Sequence, residues 1–343
     1  MHPSPSLPAS PLTPSSNSNV PPLQARIRAL ADRSARDAQS AFFLEGLRSF
    51  IQAHDAGFRF QSIVYSPILL KGDLADMLTR RLHLAGIPRH KLTPEQFRAL
   101  SLTARASGIG AICRQRWSTL AAPLPGLCHL VIEHIRCPGN LGTILRTAQA
   151  TGVASVIFVG KRTDPYDPSA VRASMGSLFH LPLIRTTHAE LAAWLRRHNI
   201  TLAALSPSAD HLWTGLPLSS RRAPLALAIG EERKGVSPYL QSLCTTGVKL
   251  PMPGGTDSLN VSIATAVMLY ELLRRSTAQT KSPHRTFTTR TPPAPPCDSD
   301  ESPPHRYAAP VARSRQSPAS APASASPAAP PCSPPTAPAS AAR

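Results

Sequence analysis

Apolar positions recur along this chain with two periods, and the switches between them predict where helices and strands lie. Met1 to Leu23 shows neither period; it is Pro/Ser/Ala-rich and carries no Lys, Arg, Asp or Glu. Such a stretch cannot bury a core, so residues 1–23 are expected to be disordered. From Gln24 the pattern changes. Arg26 to Arg36 reads as a helix, with Ile27, Leu30 and Ala31 on one face and Arg26, Arg28, Arg33 and Arg36 around it. Phe42 to Phe50 opens as a short apolar strand and runs into a helix. Ser62 to Tyr65 is a second strand, Leu69 to Ala85 a helix ended by Gly86, and Leu100 to Ile112 closes in an extended apolar piece. Strands and helices alternating over residues 24–114 predict a small α/β domain.

Gln115 to Gly126, with Pro123 and Pro125, reads as a linker. Beyond it, strand-type runs fall at Leu127–Ile135, Ala154–Val159, Leu202–Leu205, Leu225–Ile229 and Val248–Leu250, with helical spacing between them, as in Ala189–His198. Five near-continuous apolar runs separated by helices predict a parallel sheet covered on both faces. The last stretch, Leu250 to Arg275, reads as a strand end, a polar loop and a long apolar helix. Ser258 stands at the expected N-cap, and Leu259, Ile263, Val267, Leu269 and Leu272 recur at helical spacing. After Arg275 the chain is Thr/Pro/Ser/Ala-rich to Arg343, and residues 276–343 are expected to form a disordered low-complexity tail.

Charge adds a partner class. The formal net charge is +18, and the residues before Ser276 alone carry 30 basic against 16 acidic side chains. A basic folded region suits a polyanion, and RNA is the natural candidate. The six cysteines include no C-x-x-C pair and read as reduced thiols, neither a disulfide framework nor a zinc site. His134 and His180 have no metal-ligand spacing, so no metal is expected. No run approaches the ~20 apolar residues of a membrane span. The amino end lacks the charged and apolar regions of a secretory signal and the Arg-rich character of a transit peptide, so a cytoplasmic location is expected. A lone Gly108-Ile109-Gly110 reads as a turn, and no G-x-G-x-x-G follows the first strand of the second region, which disfavours the ordinary dinucleotide-binding arrangement.

Three stretches carry candidate chemistry: Pro138-Gly139-Asn140-Leu141-Gly142-Thr143-Ile144-Leu145-Arg146, Ile229-Gly230-Glu231-Glu232-Arg233-Lys234-Gly235-Val236-Ser237, and Leu250-Pro251-Met252-Pro253-Gly254-Gly255-Thr256-Asp257-Ser258-Leu259-Asn260-Val261-Ser262. In this order, about 90 and 20 residues apart, they resemble the three motifs of the SpoU (TrmH-like) RNA 2′-O-methyltransferases of the SPOUT superfamily. The resemblance is close over Leu127 to Arg275 and loose before it, where Phe43-Leu44-Glu45-Gly46 is similar to the start of an L30e/L7Ae-like RNA-binding domain. It implies a methyltransferase domain over 127–275 with a deep trefoil knot, which general rules of chain topology would not suggest. It also implies S-adenosylmethionine as methyl donor, RNA as substrate, and a homodimer in which the motif-three helix makes the subunit contact.

Methyl transfer from a sulfonium requires positioning more than acid–base machinery. Gly230 and Gly254 permit close backbone approach to the donor, and Ile229, Leu250, Met252 and Leu259 offer apolar walls; Met252 and Leu259 serve equally as core. Ser262 completes the cofactor-binding set. The resemblance places Arg146, Asn140, Glu232, Ser258 and Asn260 in the reactive site. Arg146 is read as a clamp on phosphate and hydroxyl in preference to a general base, because guanidinium stays protonated. Asn140 and Ser258 also suit helix caps, and a solvated loop carboxylate fits Glu231 as well as Glu232. Arg172-Ala173-Ser174-Met175-Gly176 resembles a further, less specific segment. Many relatives carry an acidic or amide residue where this chain has Cys137. Three functions follow: a ribosomal RNA ribose methylase, a transfer-RNA methylase, and an inactive RNA-binding or assembly scaffold. The RNA-binding-like first domain favours the first, and the retained polar set argues against the third.

Overall fold

The computed structural model describes residues 20–70, 73–101, 105–207, 209, 211–215, 224–231, 234–256 and 258–280. Most of the two segments expected to be disordered lies outside these residues. Their inner ends are helical instead. The first helix, α1 (Val20–Ala29), takes in two prolines, which a first helical turn tolerates because its N–H groups have no helical partner, and Leu23 is buried.

The expected single helix over Arg26–Arg36 is two. The turn after α1 leads to α2 (Arg33–Gln39), because Arg36 is drawn inward: its Nη1 donates to Leu30 O (2.8 Å) and Ala31 O (2.6 Å), carbonyls left unpaired at the end of α1. Ser40 (φ 46°) then turns the chain into β1 (Ala41–Glu45), followed by α3 (Leu47–Asp55), β2 (Phe60–Tyr65), α4 (Asp73–Leu84), β3 (Arg89–Lys91), α5 (Pro94–Arg98) and β4 (Ile109–Arg114). These four strands form a mixed sheet in the order β1-β4-β2-β3, antiparallel except for β2 with β3. Pattern reading passed over β3 and α5 because both are too short to show a period; Thr93 and Gln96 nevertheless form a capping box at α5.

The segment read as a linker is docked. Ser118 N–H donates to Leu183 O (2.7 Å), and the Arg116 guanidinium donates to Ala56 O and Phe179 O at 2.8 and 2.6 Å. Then follow β5 (His129–Ile132), α6 (Pro138–Thr151), β6 (Ser155–Val159), α7 (Pro168–Ala173), β7 (Leu183–Thr186), α8 (His188–Arg197), β8 (Thr201–Leu205), β9 (His211–Leu212), β10 (Leu225–Ile229), α9 (Pro238–Leu243), β11 (Thr246–Lys249) and α10 (Val261–Thr280). Among the described residues the parallel sheet holds seven strands, not five, in the order β7-β6-β5-β10-β8-β11-β9; the unforeseen β7 and β9 lie at its two edges. From β5 the chain first adds β6 and β7 on one side. It then crosses to β8 on the other, leaving the place that β10 fills. In open parallel sheets, ligands bind at the carboxyl ends of strands where the order reverses in this way.

One apolar cluster runs from Phe42, Phe50 and Phe58, on and around the first sheet, to Leu130, Ile144 and Leu269, on and against the second. The join is aromatic: Phe42 lies 4.7 Å from Tyr166, and Phe58 5.0 Å from Phe179.

Candidate active site

The first motif follows β5. Cys137 occupies the N-cap of α6 without a side-chain capping bond, and Pro138 takes the first turn. Gly142 lies against α7: a Cβ there would sit 2.4 Å from Ala173 Cβ and 2.7 Å from Ala170 O. Only glycine permits that approach, so this position sets the distance between two helices. One turn on, Arg146 is exposed and makes no hydrogen bond or ion pair with any described residue.

The second motif leaves β10 as a tight hairpin. Glu231 N–H donates to Gly235 O (2.9 Å) and Gly235 N–H to Glu231 O (2.8 Å). A Cβ on Gly230 would lie 2.0 Å from Gly235 O, so the hairpin closes only over a glycine. Ser237 then caps α9 by accepting from Leu240 N–H (3.2 Å).

The third motif ends in α10, and here the expected cap moves. Asn260, not Ser258, caps the helix: its Oδ1 accepts from Ser262 N–H (2.9 Å) and Ser262 Oγ–H (2.6 Å). Two residues later than expected, this start leaves Ser258 and Leu259 in the loop. Asn260 Nδ2 also donates to Asn140 Oδ1 at 3.2 Å, tying the third motif to the first across 120 residues of chain.

A cavity of about 290 Å³ opens at the carboxyl ends of β8, β10 and β11. Of the residues expected to hold a donor, Ile229, Gly230, Leu250, Met252 and Leu259 line it, as does Ser258. Gly254 and Ser262 do not. Gly254 is exposed, with nothing within 4 Å of a Cβ built on it, and Ser262 is buried beneath the Asn260 cap. Glu232 lies outside the described residues. Its neighbour Glu231 is buried and faces Arg136 Nη2 at 2.7 Å and His134 Nδ1 at 3.2 Å. Among the described residues no group of three or more His, Cys, Asp or Glu side chains is placed to hold a metal.

Sequence profiles match the chain in two places: the SpoU rRNA methylase family over residues 128–270 and the MRM3-like substrate binding domain over residues 25–111. A Synechocystis protein named as an uncharacterized tRNA/rRNA methyltransferase is 30% identical over 259 residues, 75% of this chain and 92% of that one. The chain belongs to the SpoU rRNA methylase family. A SpoU relative in Yersinia pestis, the 23S rRNA (guanosine-2′-O-)-methyltransferase RlmB, is 35% identical over 147 residues; the match spans 43% of this chain and only 58% of that protein. Among solved structures, the AdoMet-bound rRNA methyltransferase of Sinorhizobium meliloti superposes with a TM-score of 0.68 at 30% identity, covering 76% of this chain and 96% of that one.

In this SpoU chain the site also uses residues that motif reading missed. Glu133, at the end of β5, accepts from Ser237 N–H and Ser237 Oγ–H, both at 2.6 Å, and lies 2.7 Å from His188 Nε2. Burial alone would raise this carboxyl, but the bonds from Ser237 and His188 outweigh it and hold the group below the usual carboxylate range. Ser206, Pro207, Lys234 and Gly235 join the cavity wall. The signal available for Glu133 was a lone carboxylate ending an apolar parallel strand, at the end of the sheet where ligands bind.

Proposed function

We propose that this chain is an S-adenosylmethionine-dependent RNA methyltransferase that methylates a ribose 2′-hydroxyl, in ribosomal RNA. The observation that carries the reading is the Asn260–Asn140 hydrogen bond, which brings the first and third motifs together beside the cavity at the sheet's carboxyl end. The cavity fits the donor in kind. Leu205, Ile229, Leu250 and Val261 supply apolar wall, and the Gly230–Gly235 hairpin presents main chain where a side chain would block entry. When bound, the donor supplies a methyl group already activated on a sulfonium. The chain's residues then have to align it with the hydroxyl and exclude water. Arg146, exposed on α6, clamps the RNA phosphate and orients the ribose. Asn140 and Asn260 hold the ends of α6 and α10 in register, and Ser258 faces the cavity beside them.

The same reading extends to the chain's path and assembly. β10 inserted between β5 and β8 supports a trefoil-knotted carboxyl segment, and the four-stranded mixed sheet supports an L30e/L7Ae-like RNA-binding domain over 24–114. Ile263, Val267 and Tyr270 leave an exposed apolar stripe along α10, which supports a homodimer built on that helix. A cytoplasmic location accords with a ribosomal RNA substrate, and no described helix is long and apolar enough to cross a membrane.

Mapping 2′-O-methyl groups in RNA from cells with and without the gene tests the reaction and the substrate together. One or more ribose methyl groups in ribosomal RNA should vanish with the gene. Loss confined to transfer RNA would move the substrate, and an unchanged map with no binding of S-adenosylmethionine to the purified chain would defeat the activity.

A further inference from the structure

Three of the five residues between β5 and the first motif hold the second motif at both ends. His134 and Arg136 face Glu231 at the start of the Gly230–Ser237 loop, and Glu133 binds Ser237 at its finish. Gly230, Glu231, Lys234 and Gly235 of that loop line the cavity; Glu133 does not. Both polar hydrogens of Ser237, backbone and hydroxyl, go to the two oxygens of one carboxylate. Hydrogen bonds to an ionised acceptor are the short and strong kind. Two groups of other elements face Glu133: His188 at the start of α8, and Cys244 after α9, whose thiol is pushed up to about 11 by burial and then by the Glu133 charge.

We infer that Glu133 is a positioning residue for the donor cavity, acting through Ser237 to fix the loop that forms one wall. This rests on the reading that the cavity takes S-adenosylmethionine. A carboxylate that merely stabilised the fold would change donor and RNA affinity together with the melting temperature. A tether on the cavity loop changes donor affinity selectively, because the donor must then order a loop that the wild type holds in place.

The test uses the full-length chain, S-adenosylmethionine by calorimetry, ribosomal RNA by filter binding, and thermal melts. Glu133→Ala should weaken donor binding roughly tenfold while RNA affinity stays within about twofold, and Glu133→Gln, which keeps shape and one acceptor, should lose less. Ser237→Ala added to Glu133→Ala should cost under about twofold more, because both remove the same tether. Should Glu133→Ala not fold, Glu133→Gln with and without Ser237→Ala makes the same comparison. Folded Glu133 variants that bind the donor as wild type does, or effects of the two positions that multiply independently, would overturn the inference alone. A wild-type chain that does not bind the donor would defeat the proposed function first.

Discussion

Arg146, in the interior of α6, and His129, at the start of β5, are single residues whose surroundings dictate a measurable outcome. Arg146 projects from α6 without a partner among the described residues, so its guanidinium contributes nothing visible to the fold. Arg146→Ala should therefore abolish most methylation while donor affinity and melting temperature stay near wild type. Arg146→Lys should restore little, since an ammonium lacks the planar multi-donor fork. Equal loss of stability and donor affinity in both variants would assign Arg146 to the fold. His129, at the start of β5, is buried with Nδ1 2.8 Å from Ser155 Oγ, and burial lowers its pKa to about 4. Between about 4 and 6.5 the unfolded chain binds a proton at this position that the folded chain refuses, so stability falls as pH drops through that window. Urea unfolding at pH 7.5 and pH 5 should show the loss, and His129→Asn should reduce it.

At the scale of the element, α6 shows how far a motif letter can differ from its physical role. The residues that make the first motif recognisable were legible because helical spacing and the Asn–Gly–Arg pattern both survive in the linear chain. Why Gly142 must be glycine was not legible, because the reason lies on α7, about thirty residues away in sequence. Gly142→Ala should raise intrinsic helix propensity yet lose about 1–3 kcal/mol, since the obstructing atoms include the Ala170 and Ser174 backbones. The N-terminus of α6 offers the opposite experiment. Cys137 caps it without a hydrogen bond, and Cys137→Asp should add about 1 kcal/mol by accepting from the first turn and placing negative charge there. Thermal or urea melts check both. In α10, the helix itself was evident from its apolar period, but its start was not. Ser258 and Asn260 are both good caps, and the bond from Asn260 to Asn140 accompanies the choice of the later one.

Across the whole molecule, the first sheet is more than an appended module. Arg36, almost fully buried, reaches from α2 to Asp164 beyond β6, with Nη2 and Nε at 2.8 and 3.0 Å from Oδ2. Tyr166, two residues further, packs on Phe42, and its hydroxyl donates to Arg116 O at 2.7 Å. Removing one member of a buried ion pair strands the other, so Arg36→Met should cost roughly 3–5 kcal/mol, and Arg36→Met with Asp164→Leu should recover part of it. For the same reason a truncation beginning at Leu127 should be insoluble or bind a hydrophobic dye, because it uncovers Phe179 and the Tyr166 ring. A soluble, cooperatively melting truncation would show that the two sheets are independent. Length and composition pointed to a domain followed by a linker; the linker's Arg116 is instead bonded to Ala56 after α3 and to Phe179 before β7, and Ser118 to Leu183 of β7.

The order of apolar runs pointed to an α/β fold with a parallel sheet, and the resemblance of the three motifs pointed to the family, because each is a local pattern legible in the linear chain. What the linear chain left open was everything decided by residues distant in sequence meeting in space. The strand order that places β10 beside β5, the cap at Asn260, the cavity wall without Gly254 and Ser262, and the carboxylate of Glu133 on Ser237 depend on such meetings. A side chain's period tells which face it occupies, but its partner is fixed only when burial forces each polar group to find one.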